Sequence, residues 1–176
     1  MLKIAIVGAE SSGKTTLAKD LAADLGGSYL PEYAREYFQA KGDVAYTLAD
    51  VIAIAQGQLS GEAEAARWQR TGGADWLVCD TNALVCKIWA EVRYGYCPAA
   101  ITACWQPMSY LLHILPRPDI AWQADPLREH PHDRDVLFAL YETALQTAGV
   151  PYCVVGGARE ARVAAVRAAL RTQMGC

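Results

Sequence analysis

A three-layer α/β domain, with helices covering both faces of a five-stranded parallel sheet, is predicted for this chain by three observations. Short apolar runs alternate with segments of helical period along its length. The first run, Leu2–Val7 (LKIAIV), leads straight into GAESSGKT at Gly8–Thr15, a glycine loop that opens a helix. The 176 residues fit one domain, 1–176, and 53% are hydrophobic, enough to bury a core beneath one sheet.

The loop has the spacing of a phosphate-binding loop: Gly, four residues, then Gly-Lys-Thr. This makes the expected architecture the P-loop NTPase fold. Gly8 and Gly13 permit turns that face the backbone N–H groups inward, toward the positive end of the following helix. The nucleotide-binding residues are thus Gly8, Glu10, Ser11, Ser12, Gly13, Lys14, Thr15 and Thr16. Lys14 is expected to reach the β- and γ-phosphates and the Thr15 hydroxyl to ligate Mg²⁺. Glu10 is expected at the surface rather than in catalysis. Leu17, Leu21 and Leu25 give the helix that follows its apolar stripe.

Further strands are expected at Ser28–Leu30, Trp76–Cys79, Tyr110–Leu115 and Tyr152–Val155. Thr47–Arg70 reads as one long or broken helix, interrupted at Gly57 and Gly61. Leu137, Leu140, Tyr141, Ala144, Leu145 and Ala148 mark another, stopped by Gly149 and Pro151. In the last helix Val163, Val166 and Leu170 face the core, while Arg162, Arg167 and Arg171 form a solvated face. Arg159 is the exception, because it follows Gly156-Gly157 at a strand end where an adenine could be sandwiched.

Composition excludes several classes. A formal net charge of −3 without a basic tail gives no footprint for nucleic acid. No apolar stretch reaches the ~18 residues of a membrane span. Met1 leads directly into the first strand, so no signal peptide is expected, and the location expected is the cytoplasm. The six cysteines lack CxxC and zinc-finger spacing, and Cys79 and Cys153 are expected as buried thiols in core strands.

A phosphate loop does not by itself separate a kinase from a switch or a motor. Residues 118–135 follow the fourth strand and carry Arg128 and Arg134 amid prolines and acids. Such a segment suits a lid whose arginines stabilise a phosphoryl group in transfer, or else an exposed loop. Asp80, at the end of the third strand, is placed to hold Mg²⁺; alternatively, it or Thr81 caps a helix over Ala83–Val92. Glu32, after the second strand, is placed to hydrogen-bond an attacking hydroxyl, or is a first-turn glutamate favoured by the helix dipole. Tyr33, Tyr37, Trp89, Tyr94 and Trp122 either pack or stack on a ring-bearing acceptor, and a cationic ring would gain from cation–π attraction.

On GAESSGKTTLA at Gly8–Ala18, PEYAREY at Pro31–Tyr37, CDTNALVCKIWAEVRYG at Cys79–Gly95, PDIAWQADPLREHPHDR at Pro118–Arg134, and Val154-Val155-Gly156-Gly157 with Arg159 and Arg162, the chain resembles the ribosylnicotinamide (nicotinamide riboside) kinase domain of the bacterial NadR type. The resemblance implies transfer of the ATP γ-phosphate to the ribose 5′-hydroxyl of nicotinamide riboside. By motif, it implies ATP and Mg²⁺ at Lys14 and Thr15, the metal also at Asp80, and a lid carrying Arg128 and Arg134. Glu32, Tyr33, Arg35, Trp89, Tyr94 and Trp122 would lie toward a small-molecule riboside. Larger members carry an adenylyltransferase domain ahead of the kinase domain, and some a DNA-binding region, neither of which is expected here. A kinase of another nucleoside, or a nucleotide-dependent regulatory ATPase, are the alternatives. The sequence gives no oligomeric state.

Overall fold

Alternation along the first strand sets up the layers. Ile4 and Ile6 point to one face of the sheet, Ala5 and Val7 to the other, and all four are fully buried. The computed structural model describes residues 1–42, 45–69, 75–124 and 132–175. In chain order the elements are β1 (Leu2–Ile6), α1 (Lys14–Asp24), β2 (Ser28–Leu30), α2 (Tyr33–Lys41), α3 (Leu48–Gln69), β3 (Trp76–Asp80), α4 (Ala83–Tyr94) and α5 (Ala99–Cys104). A 3₁₀ turn at Pro107–Ser109 leads to β4 (Leu112–Pro116), α6 (Arg134–Ala148), β5 (Tyr152–Val155) and α7 (Arg159–Met174).

The sheet is wholly parallel in the order β2-β3-β1-β4-β5, so β1 lies at its centre. Leu17, Leu21, Val166 and Leu170 bring α1 and α7 onto the face of Ile4 and Ile6. Leu84, Ile88, Leu137, Tyr141 and Leu145 bring α4 and α6 onto the face of Ala5 and Val7. A third apolar cluster, including Phe38, Val51, Ile54, Cys86 and Ile101, joins α2 and α3 to α4 and α5. The predicted P-loop architecture of five parallel strands between two helical layers is the one observed. No described helix is long and apolar enough to cross a membrane.

Three local expectations are corrected. The helix over residues 48–69 runs on through Gly57 and Gly61 without a break. A glycine costs a helix interior only about 1 kcal/mol against alanine, too little to end 22 residues of packed helix. Gly57 serves instead for close approach, since a Cβ there would fall 2.0 Å from Cε1 of Tyr33. The cap of α4 is neither Asp80 nor Thr81 but Asn82, whose side chain accepts from the Leu84 N–H at 3.0 Å. Arg162 does not share the solvated face of its helix; it is 4% exposed. The Cys79 thiol is buried in β3 and Cys153 half-buried in β5, where burial pushes its pKa up to about 11.

Candidate functional site

Between β1 and α1 the chain makes the tight turn its glycines permit. Gly8 has φ +143° and Gly13 φ +85°, values that side chains rarely tolerate, and Ser11 between them has φ +49°. Gly13 also caps α1, so the helix opens directly onto the loop. Lys14 folds back over the turn and donates to the carbonyls of Gly8 at 3.0 Å and Ala9 at 2.9 Å. Every residue from Gly8 to Thr16, Glu10 included, lines one cavity of about 280 Å³. Its far wall is Glu32, Ala34, Arg35 and Phe38 from the α2 end and Val85, Ile88, Trp89 and Val92 from α4, closed by Leu137 and Tyr141.

Elements on either side hold the wall in place. The backbone of Glu32 caps α2, and its carboxylate lies 3.6 Å from the Arg35 guanidinium. Trp89 sits edge-on to Tyr46, ring centroids 4.8 Å apart, and its indole N–H donates to the Tyr46 hydroxyl at 2.9 Å. That bond fixes the indole plane beside the cavity while leaving its polar edge satisfied.

Asp80 is 1% exposed and ends β3 opposite Ile6, two residues before the loop begins. Its Oδ2 accepts from the Tyr29 hydroxyl at 3.2 Å. Burial, reinforced by this carboxylate, pushes the Tyr29 pKa well above the ordinary phenol range, so the hydroxyl remains a donor. The other oxygen, Oδ1, has no hydrogen-bond partner among the described residues. A buried carboxylate oxygen left unpaired is costly, and a cation is the partner its chemistry fits best. Thr15, in the first turn of α1, supplies the hydroxyl expected to complete such a site.

Other predicted residues lie outside the cavity wall. Arg134 opens α6 and donates to the carbonyls of Ile120 at 2.8 Å and Ser11 at 3.3 Å, with Trp122 6.0 Å from its guanidinium. Tyr33 packs against Gly57, and Tyr94 packs on the third apolar cluster. Arg159 is 64% exposed and pairs with Asp20 beside a separate surface groove. Arg128, with much of the segment expected as a lid, falls outside the described residues.

Sequence reasoning passed over two residues that assemble the site. Gln58, buried in α3, accepts from the Tyr33 N–H at 3.0 Å and donates to the Thr81 carbonyl at 3.4 Å. It therefore ties the strand end bearing Asp80 to the helix start bearing Glu32. Its place beside Gly57 in a helical segment carried no sign of this, because its partners are backbone groups remote in sequence. Arg162 was hidden among exposed arginines of the same helix. Its Nη1 donates to the Ser12 carbonyl at 2.6 Å, and Nη2 pairs with Asp119.

Known proteins bear on this arrangement in two ways. A family model described as an AAA domain matches residues 3–162. Among solved structures, a NadR protein in complex with NAD and AMP-PNP aligns with a TM-score of 0.74 at 20% identity, over 99% of this chain and 50% of that one. NadR in complex with NR gives a TM-score of 0.69 at 21% identity, over 99% and 51%. A deoxyadenosine kinase from M. mycoides with bound dCTP gives 0.53 at 17% identity, over 99% and 97%. These likenesses are of fold, and the chain spans about half the length of the NadR chains it matches. No curated protein matches the sequence. With the family model covering residues 3–162, the whole phosphate loop included, the chain belongs to this AAA domain family.

Proposed function

We propose that the chain is a Mg²⁺-ATP-dependent kinase that phosphorylates the ribose 5′-hydroxyl of nicotinamide riboside to give nicotinamide mononucleotide. One observation carries the reading: the phosphate loop and the wall of Glu32, Arg35, Phe38 and Trp89 enclose the same cavity, so donor and acceptor can meet without intervening water. The fold shared with NadR, solved both with AMP-PNP and with NR, supports this substrate pair.

The loop N–H groups and the start of α1 grip the triphosphate, and Lys14 exchanges its bonds to the Gly8 and Ala9 carbonyls for phosphate oxygens. Glu32 accepts a hydrogen bond from the riboside hydroxyl and aims its oxygen at the γ-phosphorus. A bond forms between that oxygen and phosphorus as the β–γ bridging bond breaks, ADP leaves, and the hydroxyl proton passes to Glu32 or solvent. Because the transition state is loose, orientation matters more than early proton removal. The cationic pyridinium ring lies against Trp89, within the field of the Glu32 carboxylate. Thr15 and Asp80 are the residues that would hold Mg²⁺, which when bound neutralises charge on the phosphate oxygens.

A panel of acceptors offered with Mg-ATP tests the substrate, with ADP release followed by a coupled assay. Nicotinamide riboside should give the highest kcat/KM. Higher turnover with deoxyadenosine would move the assignment to another nucleoside, and ATP hydrolysis indifferent to every acceptor would move it to a regulatory ATPase.

A further inference from the structure

We infer that Arg162, braced by Asp119, is a positioning residue that locks the phosphate loop into its anion-binding conformation. The inference rests on the nucleotide-binding reading above. A buried guanidinium is stable only when paired and hydrogen-bonded, and Arg162 satisfies that demand in an informative way. Nη1 donates to the Ser12 carbonyl at 2.6 Å, Nε to the Gly157 carbonyl at 3.0 Å, and Nη2 to Asp119 Oδ1. Asp119 Oδ2 in turn accepts from the Gly157 N–H at 2.7 Å. One ion pair thus joins the phosphate loop, the segment after β4 and the turn between β5 and α7.

The consequence follows from peptide planarity. In a trans peptide the carbonyl of Ser12 and the N–H of Gly13 point in opposite directions. Holding the carbonyl on Arg162 therefore aims the Gly13 N–H away from α7, toward the cavity that Gly13 lines. Arg134 does the same for the preceding plane by donating from Nη1 to the Ser11 carbonyl at 3.3 Å. The fit is close: a Cβ on Gly13 would lie 3.3 Å from Arg162 Nη1. The left-handed conformation of Ser11, a non-glycine residue, is the kind a loop relaxes from unless something outside it holds it.

A bracing role predicts loss of grip on phosphate but not on the nucleoside. Binding of adenosine, ATP and inorganic tripolyphosphate is to be measured by calorimetry for the wild type, Arg162→Met, Arg162→Lys and Asp119→Asn. Arg162→Met should weaken ATP and tripolyphosphate by ~10-fold or more, the weight of a lost charged hydrogen bond, and leave adenosine unchanged. Arg162→Lys should recover part of this, because an ammonium can still reach one carbonyl. Asp119→Asn, at a more exposed position, should show the same selectivity more weakly and decides the matter should Arg162→Met not fold. Unchanged tripolyphosphate affinity in a folded variant, or equal losses for adenosine and ATP, would overturn the inference. A wild type that binds no triphosphate would instead overturn the nucleotide-binding reading itself.

Discussion

Asp80 and His113 show how differently two buried titratable side chains can be used. Asp80 keeps one oxygen bonded to Tyr29 and the other without a partner among the described residues, next to the loop expected to hold a metal-bound triphosphate. Asp80→Asn should shift the Mg²⁺ titration of turnover by ~10-fold or more, whereas an unchanged titration would make the carboxylate a packing group. His113 does not line the cavity and is fully buried in β4. Burial, with Lys3 nearby, lowers its pKa from 6.5 to about 4. The unfolded chain therefore takes up this proton first as pH falls, so stability intact above pH 6.5 is lost progressively toward pH 4. At pH 5 the loss is about 2 kcal/mol. Urea unfolding at pH 7.5 and 5 should show the wild type losing that much more than His113→Leu; equal losses would mean His113 is already protonated when folded. Position along the chain made Asp80 readable, because strand ends beside phosphate loops carry acids. His113 sits in an apolar strand pattern that says nothing of its neighbours.

Among the elements, α3 is the one whose role was least legible. Its period and length were plain, but its two interior glycines read as interruptions. Propensity alone says that Gly57→Ala should stabilise α3 by about 1 kcal/mol. Packing says the opposite, since the new methyl would stand 2.0–2.5 Å from Tyr33 ring atoms and overpacking costs about 1–3 kcal/mol. Packing should win, lowering the melting temperature. KM for the riboside should also rise more than KM for ATP, because Tyr33 adjoins Glu32 at the start of α2. A more stable variant with wild-type kinetics would show that the ring simply moves aside. The inner strands were legible for the contrary reason: β1, β3 and β4 are short, mostly apolar runs buried on both faces, and that burial demands such a composition.

For the whole molecule, the central inference is that one chamber serves two substrates, with the phosphate loop on one side and the α2–α4 wall on the other. The donor half was legible because its spacing is chemical: backbone N–H groups, a lysine and a hydroxyl must fall in fixed order. The acceptor half was only partly so, since a wall drawn from α2, α4 and α6 is assembled by packing, and only Glu32, Arg35 and Trp89 among its predicted members line it. Trp89→Ala should raise KM for the riboside by about 5-fold through lost ring contact while leaving KM for ATP near its wild-type value. Equal changes in both would make Trp89 a support for the fold rather than for one substrate. The most direct measurement is chromatographic product analysis after incubating the protein with Mg-ATP and nicotinamide riboside. Nicotinamide mononucleotide and ADP should appear in equal amounts, and neither with Lys14→Ala. Recovery of the riboside unchanged, with ATP intact or hydrolysed at the same rate in its absence, would contradict the central inference.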